Sequence, residues 1–120
     1  MSPIYPYLNK YKARKTGGKA SALEESVHGI LKILVAAGEI SDLRSQPNIF
    51  LTRAKIRMIP DFSAIDVKTR ETVYFEAKGF ETERWFVCKK LWKVYGPGKL
   101  CVYRGSWKRP FLAEEIIPTG

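Results

Sequence analysis

The chain has 120 residues, 45% of them apolar, and sets 21 Lys and Arg against 12 Asp and Glu for a formal charge of +9. That length makes one domain with a single modest core. No apolar run approaches the roughly 18 residues of a membrane-spanning helix, so none is expected. So basic a balance suits a polyanionic partner, of which nucleic acid is the usual one. Cys88 and Cys101 fall on different predicted elements and read as reduced intracellular thiols; two Cys and a single His argue against zinc. Met1-Ser2-Pro3-Ile4-Tyr5-Pro6 lacks the charged-then-apolar profile of a secretion signal, which predicts an unsecreted protein.

Residues 1–18 form a basic segment expected to be a mobile arm, with the remainder, 19–120, as the domain proper. Lys10, Lys12, Arg14, Lys15 and Lys19 stand in a Gly-containing stretch without apolar period, suited to lie along a phosphate backbone or simply to be solvated. The spacing of Leu23, Val27, Ile30, Leu31 and Leu34 predicts a helix over 21–37, stopped by Gly38. Glu24 flanks its apolar stripe and admits two readings. Ser21-Ala22-Leu23-Glu24 has the spacing of a capping box, the reading these residues favour by themselves. Alternatively, the Glu24 carboxylate points toward an interior site. His28 lies one turn further on, where packing is the ordinary role of a lone histidine. Residues 41–47 read as a loop, in which Gln46 bonds to backbone or reaches a phosphate, and 48–52 as a first strand.

Residues 56–66 and 72–78 read as two extended runs joined by the polar connection 67–71, an antiparallel hairpin. In the second run Val73, Phe75 and Ala77 alternate with Tyr74, Glu76 and Lys78, so the charged pair shares one face. Folding the hairpin brings Pro60-Asp61-Phe62 toward Glu76-Ala77-Lys78-Gly79. Two carboxylates and a lysine are what a divalent cation and one activated water need for phosphodiester hydrolysis. Mg²⁺, for which Mn²⁺ can substitute, prefers oxygen donors and is usually held by one or two carboxylates plus substrate phosphate. Asp61 and Glu76 are the candidate ligands, with the Ala77 backbone carbonyl as a third oxygen and Lys78 beside the water. The plain alternative is a solvent-facing strand of mixed charge.

A second helix is expected over 81–95, with Trp85, Cys88, Leu91, Trp92 and Tyr95 on its apolar face and Lys89, Lys90 and Lys93 free to follow a DNA strand or to form an ordinary polar face. Tyr95-Gly96-Pro97-Gly98 ends it, and a short buried strand follows over 100–104. Trp107, Lys108 and Arg109 then combine an aromatic with cations, suited to stacking bases and pairing phosphates, or to turn packing. The tail is expected to add a helical turn.

In order and in motif the chain resembles the PD-(D/E)XK nuclease superfamily. Four pieces carry the likeness: Ser21-Ala22-Leu23-Glu24-Glu25-Ser26-Val27, Pro60-Asp61-Phe62, Phe75-Glu76-Ala77-Lys78-Gly79-Phe80 and Val102-Tyr103-Arg104-Gly105. Within the superfamily it is most similar to the phage endonuclease I type of Holliday-junction resolvase and related small phage nucleases. The resemblance implies an α+β fold with a restriction-endonuclease-like αβββαβ core, a mixed central sheet flanked by helices. It also implies a Mg²⁺-dependent endonuclease for branched DNA, acting as a homodimer in the cytoplasm of a phage-infected or bacterial cell. Glu24 becomes the helix carboxylate of the site, reaching the metal directly or through water, beside Asp61, Glu76 and Lys78. Two other functions fit the same residues. One is a nuclease for duplex or single-stranded DNA of the restriction-like or transposase-associated kind, the other a basic binding module without catalysis.

Overall fold

The computed structural model describes residues 19–119, so the basic segment with Lys10, Lys12, Arg14 and Lys15 lies outside the described residues. Two helices pack on opposite faces of a mixed five-stranded sheet, an α+β architecture. Helix α1 spans Lys19–Ala36 and α2 spans Glu83–Tyr95. The strands are β1 (Ile40–Ser45), β2 (Ile49–Phe50), β3 (Arg57–Met58), β4 (Phe62–Asp66), β5 (Thr72–Ala77), β6 (Leu100–Ser106) and β7 (Arg109–Ile116). The main sheet runs β1-β4-β5-β6-β7, while β2 and β3 pair separately. Only β5 and β6 are parallel, joined through α2; the other neighbours are antiparallel.

Helix α1 forms where its stripe predicts: Leu23, Val27 and Leu31 are fully buried. Its end is a Schellman turn, in which Gly38 takes φ +80° and the Glu39 N–H donates to the Leu34 carbonyl. The helix starts at Lys19, so Ser21 lies inside it rather than at its N-cap position. Helix α2 is capped by Thr82, whose hydroxyl oxygen accepts from the Trp85 N–H at 3.1 Å.

Four segments depart from expectation. Residues expected as a loop over 41–47 supply β1. Its apolar anchors Ile40 and Leu43 are three apart, an odd spacing that plain alternation would send to opposite faces. A bulge between Ser41 and Arg44, with Asp42 at φ +52°, turns both onto the α1 side. The strand expected over 48–52 shrinks to β2, outside the main sheet. Pro60, which has no N–H to give a ladder, stands in the break that divides the run 56–66 into β3 and β4. The tail forms no helical turn but the edge strand β7 on β6, where pairing overrides its helix-compatible composition.

One core joins α1 to the sheet through Leu23, Val27, Leu31, Ile40, Phe62, Ala64, Val73, Phe75 and Cys101. The second lies under α2 and collects Leu51, Met58, Tyr74, Trp85, Trp92, Leu100, Val102 and Ile116. Strand β5 is therefore covered on both faces from Val73 to Glu76, which buries the Glu76 side chain. Among the described residues no helix is long and apolar enough to cross a membrane.

Candidate active site

The β4–β5 turn sets the register that builds the site. The Asp66 carboxylate accepts from the N–H groups of Lys68 and Thr69, and Arg70 adopts φ +66°, which tightens the connection. Phe62 then pairs with Phe75, and one further step puts Asp61 opposite Glu76. Both point to the α2 side, since their neighbours Phe62 and Phe75 belong to the α1 core.

The two carboxylates are 9% and 8% exposed and are stitched together through backbone. The Asp61 N–H donates to Glu76 Oε1 at 3.2 Å, and the Ala77 N–H donates to Asp61 Oδ2 at 2.8 Å. Gln46 enters from the end of β1: its N–H donates to the Asp61 carbonyl at 2.8 Å, with its backbone in the left-handed region at φ +53°. The expectation for Gln46 concerned its side chain, whereas the bond that ties it to the site is made by its main chain.

Lys78 Nζ stands 3.4 Å from Glu76 Oε2 and 4.8 Å above the ring of Trp85, a buried indole. Its backbone is held twice by β6, through its N–H to the Tyr103 carbonyl at 2.9 Å and through Arg104 Nη1 donating to its carbonyl at 3.3 Å. Arg104 is fixed in turn by Glu81, 2.7 Å away. Nearby, burial pushes the Cys88 thiol up, an effect that Arg84 and Lys78 oppose and Glu76 reinforces.

Helix α1 runs away from this end of the sheet, because Ile40, just after it, pairs with Asp66 at the far end of β4. Its N-terminal half thus lies at the Asp61 end. His28 stacks on Phe62 with ring centroids 4.8 Å apart, a packing role beside the site. Glu24, half-buried, precedes it by one turn. Among the described residues no three His, Cys, Asp or Glu side chains gather as a metal-binding group.

The expected DNA contacts divide. Lys90 and Lys93 are exposed on α2. Lys89 instead makes ion pairs with Glu114 at 2.9 Å and Glu81 at 3.8 Å, so its charge is already matched. Trp107 and Lys108 form the exposed turn between β6 and β7, Arg109 opens β7 and is also exposed, and Lys19 opens α1. Arg104, Glu81 and Trp85 were not singled out as site residues. The register Ala77 to Tyr103 brings Arg104 to Lys78, and only the β5–β6 pairing reveals it.

Chemically, two buried carboxylates and an adjacent backbone carbonyl make a hard-oxygen donor set beside one ammonium. Such a set suits Mg²⁺ or Mn²⁺ and lacks the nitrogen and sulfur ligands of zinc. In comparisons with known proteins, no family model and no curated protein matches the chain.

Proposed function

We propose that the protein is a Mg²⁺-dependent DNA endonuclease of the PD-(D/E)XK, restriction-endonuclease-like type, hydrolysing branched DNA such as Holliday junctions as a homodimer. The observation that carries this reading is the convergence of Asp61, Glu76 and Lys78 on one face at the end of β5. Two neighbouring carboxylates out of water repel each other, which a divalent cation offsets. Asp61 and Glu76, with the Ala77 carbonyl, would hold Mg²⁺ or Mn²⁺, the remaining positions falling to water and substrate phosphate.

When bound, the cation acidifies a water and neutralises charge building on the phosphate. Lys78 donates a hydrogen bond to the attacking water and stabilises its developing negative charge. Glu76 and Trp85 orient that ammonium, while Arg104 fixes the backbone that carries it. The +9 charge draws a polyanion to the protein.

Incubation with Mg²⁺ and a four-way junction, a linear duplex and single-stranded DNA in parallel tests the reading. Cleavage of the junction is expected, lost in Asp61→Ala and Lys78→Ala while junction binding persists. Preferential cutting of plain duplex or single strands would replace the junction substrate. Binding with no cleavage of any DNA would leave a non-catalytic module.

A further inference from the structure

Strand β6 continues past its partner. The parallel ladder closes where Ala77 meets Tyr103, yet β6 runs on to Ser106 before the chain turns through Trp107 and Lys108 into β7. At about 3.3 Å per residue, Trp107 stands on the order of 10 Å beyond Ala77, outward from the carboxylate end of the sheet.

The turn is held firmly. The Ser26 hydroxyl donates to the Trp107 carbonyl at 2.5 Å, tying it to α1. Gly105, at φ +99°, admits no side chain, because a Cβ there would collide with the Arg109 carbonyl. What the turn displays is apolar and cationic together. The indole of Trp107 is 54% exposed, whereas Trp85 and Trp92 are buried. The Lys108 ammonium lies over its ring, 5.4 Å from the centroid. Arg109 follows at once. Two positions after Lys78, Phe80 is 72% exposed. An intact duplex keeps its bases stacked inside and presents phosphates alone. A splayed strand offers a π-face to the indole and a phosphate to the flanking cations.

Resting on the nuclease reading above, we propose that Trp107, flanked by Lys108 and Arg109, stacks on an unpaired base of the DNA strand being cut, so that the substrate has single-stranded character beside the scissile phosphate. The intact protein in EDTA is titrated with an oligo-dT strand, a duplex bearing an unpaired flap and a blunt duplex, following tryptophan emission and affinity. Trp85 lies against Lys78 and responds to DNA as well, so the part of the quench that is lost in Trp107→Phe reports Trp107. The strand and the flapped duplex should quench, and Trp107→Ala should weaken both about tenfold. Trp107→Phe should retain most of the affinity, and blunt-duplex binding should hardly change. Equal weakening on all three DNAs, unchanged single-strand affinity in Trp107→Ala, or equal loss in Trp107→Phe would overturn the proposal. An oligo-U strand that outcompetes oligo-dT would overturn its assignment to DNA. Binding here is read without cleavage. Inactivity on every DNA with Mg²⁺ would therefore remove the nuclease and leave the stacking result intact, and the converse holds equally.

Discussion

The α1 and α2 faces of the sheet are built on the same strands with different chemistry. Under α1 the core is wholly apolar, from Leu23 and Val27 to Phe75 and Cys101. Under α2 an equally buried cluster around Trp92, Leu100 and Val102 shares its face with Asp61, Ser63 and Glu76. Burying a carboxylate costs free energy that burying valine releases. A chain that needed only a core would not bury Glu76 near the end of a strand covered on both faces. The apolar face holds the fold together; the mixed face keeps two carboxylates and a lysine at fixed positions. Damage to each should therefore appear in different measurements.

Asp61→Asn keeps the size of the side chain and an oxygen for the Ala77 N–H. It should lower cleavage on the order of a thousandfold and leave the urea midpoint nearly unchanged. Leu31→Ala, on the opposite face, should do the reverse. It should cost about 2–5 kcal/mol in urea unfolding, with cleavage per folded molecule intact. If Leu31→Ala also silenced the folded enzyme, the two faces would not be separable in this way.

Glu24→Ala probes the boundary between the faces. Since the helix begins before Ser21, no cap is lost, and activity should fall roughly ten- to hundredfold while the melting temperature holds. A drop in melting temperature with normal cleavage per folded molecule would return Glu24 to a structural role.

The smallest effect is a pH dependence on the apolar side. Burial pushes the Cys101 thiol up to about 11, with Lys99 opposing and Glu115 reinforcing. Burial likewise raises Tyr103, packed against the same core. As pH rises past the unfolded thiol value, the unfolded chain gives up its proton before the native one does. Stability is then full below about pH 9 and falls by a few kcal/mol as pH climbs through the folded value. Urea melts at pH 8, 9.5 and 11 should show this decline, and Cys101→Ser should flatten it.

Much of this arrangement can be read from residue order because it rests on local rules. The alternation in β5 and the short polar turn after Asp66 suffice to bring Asp61 opposite Glu76. Strand β1 escaped the same rule because a bulge at Asp42 converts an irregular apolar spacing into a regular face. The edge strand β7 escaped because its residues suit a helix and only the neighbour β6 makes them extended. Lys89 resembled a solvent-facing cation until Glu114, brought beside it by the fold, supplied its counter-ion. Arg104 and Trp85 act on Lys78 across strand and helix, contacts that no linear spacing encodes. Glu24 sits half-buried in the N-terminal half of α1, where the order of elements alone, without a local spacing rule, sets it toward the Asp61 end of the sheet.

A calorimetric titration of Mn²⁺, with and without DNA, compares wild type with Asp61→Asn and Glu76→Gln most directly. If the two buried carboxylates share one cation, wild type binds it and each substitution alone removes that binding while the fold survives. Undiminished Mn²⁺ binding in either variant would contradict a common metal centre.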